Sequence, residues 1–324
     1  MISNLSITTP VVGTIRLGDV AINQKGKRYP VRANHFKITA LFKDGEGHWV
    51  EHPMHKHVAE TTEQKAELIT EIPVHLMFND PDLNMRARYE AFNNDGRTIC
   101  AGDGKCARRL DGGKVVSVEC VGSEHCQFGR QVKCDLFARL NVMIDGQDDE
   151  FSSFILRTES INAVRTLYAK MTRMRAMFGN RLVGVPFMLK LRQKASSMSC
   201  WTKFWYADLV LNKVSKFDAI KLAQEYEEQM ESAGLDQQAF EQEALAGLQN
   251  GAFEEGTEEF EDIEAFLLAR GDDEPPAEGT VQTGEEQVAQ APGLASLRAF
   301  LETADQAGAL TLNLTQEAGE PVTA

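Results

Sequence analysis

The sequence predicts an α+β protein: a mostly antiparallel sheet with one main packed helix and a cysteine-rich zinc loop, followed by acidic helices and a disordered tail. Three observations predict it. Residues 6–156 run in short apolar or alternating stretches broken by Gly, Asn and Asp, the pattern of strands rather than helices. A single later segment repeats its apolar residues every three or four positions. Lys and Arg outnumber Asp and Glu by 31 to 24 over residues 1–220, and are outnumbered 3 to 24 over residues 221–324, so a neutral-to-basic folded part carries an acidic arm.

Strands are expected at residues 31–42, 72–78, 86–92 and 136–144. The stretches ARLNVMI and FSSFILR are separated by Asp145-Gly146-Gln147-Asp148-Asp149-Glu150, whose Asp-Gly start suits a hairpin loop. Thr158 or Ser160 then caps a helix in which Ile161, Val164, Leu167, Tyr168, Met171, Met174 and Phe178 fall on one stripe, with Gly179 at its end. Residues 182–191 and 201–211 read as two further strands returning to the sheet. Residues 1–214 are therefore expected as one metal-binding domain, 215–270 as an acidic helical extension able to reach away from it, and 271–324 as linker. Residues 271–293 are poor in large apolar residues and rich in Pro, Gly, Glu and Gln, which predicts disorder. Beyond them Leu294, Leu297, Phe300 and Leu301 would share one face of a helix, either as a docking peptide or as a transient helix with no partner.

The 324 residues are 43% hydrophobic and 25% charged, with no apolar run near the roughly 18–20 residues that a membrane-spanning helix needs, so a soluble protein is expected and a membrane partner is not. No basic stretch followed by an apolar one opens the chain, which places it in the cytoplasm with reduced thiols.

Five of the six cysteines, Cys100, Cys106, Cys120, Cys126 and Cys134, fall within 35 residues among Gly-rich turns. Thiols so concentrated in a reducing compartment point to structural Zn²⁺, which takes four thiolates, or three and a histidine, in a tetrahedron with Zn–S near about 2.3 Å. Cys120, Cys126 and Cys134 are the leading ligands, and the fourth is Cys100 or Cys106, with His125 as a weaker substitute. The gaps are longer than those of C-x2-C knuckles, so buried thiols without metal are the competing reading. Four protein ligands would leave no place for an activated water, so the metal would be structural. Lys105, Arg108, Arg109, Arg130 and Lys133 surround the cluster and would offset its charge. Cys200 lies apart, on an expected strand, as a core thiol.

Other motifs carry less. His48, His52, His55 and His57 crowd together, yet match no H-E-x-x-H spacing, and Pro53 argues for a solvated loop rather than a helix. Asn79-Asp80-Pro81-Asp82 and Asp148-Asp149-Glu150 have the composition of turns. Phosphate-loop, nucleophile-elbow and dinucleotide fingerprints are absent, so no enzyme is expected. Residues 151–204 hold ten Lys or Arg against one acid, and Arg165, Lys170, Arg173, Arg175, Arg181, Lys190 and Arg192, with aromatic residues nearby, form a candidate path for single-stranded DNA. The competing reading is a basic face that meets an acidic protein or the chain's own acidic arm.

The run NDPDLNMRARYEAF, the cysteine cluster, CDLFARLNVMIDGQDDEFSSFILRTESINAVRTLYAKM and GNRLVGVPFMLKLR together resemble the phage recombination directionality factor-like family. That family includes partners of large serine integrases and mobile-element proteins described as hydrolases or metal-binding proteins. The likeness covers residues 1–212, is strongest over 79–192, and leaves out the acidic third. It implies a non-enzymatic accessory of a phage or mobile element that binds a site-specific recombinase (integrase) and turns it from integration toward excision. The alternative is a single-stranded-DNA-binding recombination accessory whose acidic arm competes with DNA or recruits another protein, and a metal-dependent hydrolase stands third.

Overall fold

Alternating residues with one apolar side make strands that need a partner layer, and in the computed structural model they build one large sheet whose core also takes in residues of several helices. The structure describes residues 5–22, 28–31, 33–93, 96–195, 201 and 203–254. All of these lie in the first of the two units into which the chain divides, Met1–Asp272. The linker, the Leu/Phe motif of residues 294–301 and Cys200 lie outside the described residues, as does the last part of the 215–270 extension.

The elements in order are β1 (Val11–Arg16), β2 (Asp19–Ile22), β3 (Arg28–Val31), β4 (Lys37–Lys43), β5 (Trp49–Glu51), α1 (Pro53–Thr61), a 3-10 turn (Ala66–Leu68), β6 (Glu71–His75), α2 (Pro81–Asn84), β7 (Met85–Phe92), β8 (Thr98–Gly102), β9 (Cys106–Asp111) and β10 (Lys114–Glu119). Then follow α3 (Gln127–Gln131), β11 (Asp135–Ile144), β12 (Ser153–Thr158), α4 (Ile161–Met177), β13 (Phe187–Lys194), β14 (Phe204–Leu211), α5 (Lys216–Ser232) and α6 (Gln237–Gln249). The main sheet has twelve strands along the path β10-β9-β8-β7-β11-β12-β1-β4-β5, and β6, β13 and β14 branch from β11. Its described pairings are antiparallel except β1 with β12. β2 and β3 form a separate ribbon.

The expected hairpin is present: β11 and β12 pair from Val142 with Phe154 to Ala138 with Thr158. Its turn needs Gly146, which has a φ of +87° and leaves no room for a Cβ, because one would meet His57 Nε2 at 2.4 Å. Ser160 is the N-cap of α4, accepting from the Ala163 amide, and the chain leaves the helix through Phe178 and a left-handed Gly179. Ala163, Leu167 and Met171 are the buried stripe of α4, which packs against β14. The core gathers Ile15, Ile38, Leu140, Phe154, Phe187 and Leu209 from both arms of the sheet, with Leu167 of α4 and Phe36 just before β4.

Two expectations need correction. Residues 52–61 are not a solvated loop. Pro53 opens α1, because the first turn needs no amide donor from that position, and His52 Nδ1 caps it by accepting from the Met54 amide at 3.1 Å. The segment after residue 215 does not reach away from the domain over its described part. α5 buries Ala219 and Ala223, while α6 lays Ala244 and Leu248 against Met77, Phe78, Leu83 and Met143. No described helix is long and apolar enough to cross a membrane.

Two of the four crowded histidines, His52 and His55, hold local structure together. Buried His55 accepts from the Ile38 amide at Nδ1 (3.1 Å), which leaves Nε2 to donate to the Ala66 carbonyl at 2.8 Å, joining α1 to β4 and to the 3-10 turn. His55→Leu strands both backbone groups in the core, so a loss of about 2 kcal/mol in denaturant unfolding is expected. The Asn79–Asp82 turn is likewise accounted for: Asp80 caps α2, and Asn79 Oδ1 accepts from the Leu182 and Val183 amides.

Candidate functional site

Strand pairing decides where each cysteine goes. β8 and β9 pair Cys100 with Arg109 and Gly102 with Ala107, so Cys100, Ala107 and Arg109 share a face of the sheet. Cys120 closes over them, so near that a Cβ on Gly102 would meet its Sγ at 2.7 Å. Cys100 and Cys120 form a small buried cluster with Ala91 and Ala107, and Phe128, Val132 and Cys134 pack against it. Cys126 caps α3, its Sγ accepting from the Gly129 amide at 3.3 Å, and Gly129 lies between the Cβ atoms of Cys126 and Cys134. Four thiols thus converge from β8, the end of the β9–β10 hairpin, and both ends of the α3 turn.

Cys106 is not among them. It alternates with Ala107 along β9, so its exposed side chain lies on the opposite face, 3.1 Å from Ser117 Oγ. His125 is exposed. Arg109 enters the cluster instead, with its guanidinium 4.0 Å from the Phe128 ring centre and Nη2 3.8 Å from Cys126 Sγ. Burial pushes the Cys100 thiol up, Arg109 opposes this, and neighbouring Cys120 and Cys126 add to the rise. The described cysteines are free thiols, and among the described residues no three His, Cys, Asp or Glu side chains stand ready as a coordination set. The donor chemistry of the four gathered thiols suits zinc; their arrangement here is a packed cluster around Arg109.

The basic stretch of residues 151–204 is less available than its charge implies. Lys170 and Arg192 both hold buried Asp208, at 2.6 and 2.8 Å. Lys190 pairs with Glu71, Arg181 lies 2.5 Å from Glu227 and Arg175 lies 3.6 Å from Asp80. Arg165 and Arg173 remain exposed on α4. Five of the seven candidate phosphate contacts are therefore already engaged by four acids of the same chain, most of them far away in sequence.

The reading from sequence missed the main basic cluster. β12, β11 and β7 pair Arg157, Arg139 and Arg86 in one row, on the face away from Leu140 and the core. Arg88 and Glu90 follow on the same face of β7, and Arg108 of β9 joins them across β8. Arg139 grips Glu90 in a two-pronged pair at 2.9 and 2.6 Å, with both side chains buried. Arg86 reaches Asn141 at 2.9 Å, the Leu83 carbonyl at 2.9 Å and Glu254 at 2.7 Å. Arg88 reaches the other Glu254 oxygen at 3.0 Å, and Arg108 donates to the Gly251 carbonyl at 2.5 Å. The signal lay in Arg86, Arg88, Arg139 and Arg157, charged positions alternating with core residues along expected strands. Their faces remained unknown until the strands were paired.

Burial raises the Glu254 carboxyl, but Arg86, Arg139 and Arg88 outweigh it and hold the group below its ordinary value of 4.5. A carboxyl lowered by folding contributes stability above its unfolded value and loses it as pH falls through the lowered one. The melting temperature of the wild type is therefore expected to exceed that of Glu254→Gln at neutral pH, with the gap closing below pH 4.5 in a series of thermal melts.

The model of the family described as Gp3-like, recombination directionality factor-like, matches residues 12–212. No curated protein and no solved structure matches the chain. The matched stretch holds β2 to β14 and all but the first residue of β1, with the thiol cluster and the arginine face, and it ends before α5. With more than half of its length matched, including the strands that the sequence pattern marked out, the chain belongs to the recombination directionality factor-like family.

Proposed function

We propose that this chain is a non-enzymatic recombination accessory of a phage or integrative element that binds a site-specific integrase and shifts it from integration toward excision. The observation that carries this reading is the family match over residues 12–212. A switch of this kind works by binding one recombinase state more tightly than another, which calls for a protein surface rather than a reaction pocket. Zinc belongs to the same proposal: held by Cys100, Cys120, Cys126 and Cys134, it would staple the β8–β10 end of the sheet and activate no water. The test is a two-plasmid assay with a cognate site-specific integrase, together with co-purification of the two proteins. Excision that depends on this chain and a stable complex are expected; excision unchanged by it, with no complex, overturns the reading.

A single-strand path along residues 151–204 has less support, because Lys170, Arg175, Arg181, Lys190 and Arg192 already serve acids of the same chain.

A further inference from the structure

We propose that the arginine face of β7 and β9 is a binding site for the phosphate backbone of DNA, and that the chain's own residues 251–254 occupy it as an internal competitor. The inference goes beyond the integrase reading, and its assay contains no recombinase, so each can fail alone.

One sheet face gathers more arginines than buried acids. Arg86, Arg88, Arg108, Arg139 and Arg157 lie there across neighbouring strands about 4.8 Å apart. Inside the matched stretch the buried acid of this face is Glu90, and both of its oxygens accept from Arg139. Arg86, Arg88 and Arg108 take their remaining partners from outside residues 12–212: two oxygens of one carboxylate, Glu254, and the Gly251 carbonyl. The basic face is thus a property of the family domain, whereas its cover is supplied by the extension.

The described part of the cover stands in for an anion through the Glu254 carboxylate, and the sequence that follows is acidic. Glu254 opens the stretch EEGTEEFEDIE, with seven acids in eleven residues and no Lys or Arg. Guanidinium groups donate to carboxylate and phosphate oxygens alike, so a carboxylate whose two oxygens pair with Arg86 and Arg88, as those of Glu254 do, can be exchanged for a phosphodiester. Repeated phosphates favour DNA over a small anion, because several arginines lie along the face and each further contact releases a counterion.

The cover is also held from a second side. The Ile7 amide donates to the Gly247 carbonyl at 2.9 Å, Ser6 Oγ to Leu248 and Asn250 to Leu5. Buried Gly251 lies so close to Ser6 that a Cβ would stand 2.4 Å from its amide nitrogen. An alanine at this position forces the segment and Ser6 apart without changing any charge.

The experiment measures anisotropy of labelled oligonucleotides, single-stranded and duplex, with the full-length protein across a salt series. Glu254→Gln removes the competing charge and Gly251→Ala lifts the segment; thermal melts check that each variant is folded. Roughly tenfold tighter binding is expected in both variants, as two or three freed guanidinium contacts imply, with a salt slope steeper by about 0.7 per contact on single strands or 0.9 on duplex. Arg88→Ala, at a half-buried position, is expected to abolish the gain in either background. A gain on one form of DNA only identifies which form the face takes. Unchanged affinity in the two folded variants overturns the proposal, and so does a gain that survives Arg88→Ala. Binding of a synthetic peptide of residues 251–264 to the Gly251→Ala protein, with neither oligonucleotide bound, would assign the face to an acidic protein segment and overturn the DNA site.

Discussion

Arg139→Ala is expected to destabilise the domain by about 3–5 kcal/mol, the usual loss when one partner of a buried ion pair is removed. Both partners are nearly inaccessible, with side chains 3% and 2% exposed, and Glu90 would keep its charge with two oxygens no longer served by Arg139. The loss also removes a guanidinium that lies 4.5 Å from the Phe137 ring centre, in the middle of the sheet. For a folded unit of this size the melting temperature should fall by roughly 10 °C. The pair variant Arg139→Met with Glu90→Leu is expected to recover most of the loss, because an apolar pair of similar volume leaves no buried charge behind. If the single variant melts like the wild type, the two-pronged pair is not what holds β7 to β11 on this face.

Cys120→Ser and Cys106→Ser are expected to separate sharply. With zinc at the gathered thiols, the wild-type chain should carry about one zinc and four protected thiols, as a closed tetrahedral site requires. Cys120 is buried over Gly102, so its loss should abolish the metal and loosen β8 to β10, given that structural zinc contributes up to about 10–16 kcal/mol of apparent binding energy in small domains. Cys106 lies on the other face beside Ser117, and Cys106→Ser should leave zinc content and melting unchanged. Elemental analysis with thiol titration checks both. Equal loss of metal in the two variants would contradict the placement of Cys106, and a wild type without metal would leave the four thiols as an apolar cluster around Arg109.

Much of this molecule was legible from local pattern. The stripe of Leu167 and Met171, capped by Ser160 and stopped at Gly179, specifies α4 through contacts three and four residues apart. β7, β11 and β12 read correctly because their apolar faces alternate and an Asp-Gly turn joins the last two. α1 was not legible, since Pro53 suggests a break and is in fact the first residue of the helix. The cluster strands β8, β9 and β10 were also obscured, because glycines and cysteines interrupt their alternation.

By itself the sequence determined the fold class, the crowding of five thiols within 35 residues, the division into a basic and an acidic part, and the family. Those properties depend on residue type and on short spacing, which a linear chain displays. Only the tertiary structure decided which thiols meet, which lysines and arginines are already paired, and that Glu254 lies on Arg86 and Arg88, 168 and 166 positions away. Register sets these outcomes: one residue along a strand moves a side chain to the opposite face, as it separates Cys106 from Ala107, and nothing local in the sequence records which strand lies alongside.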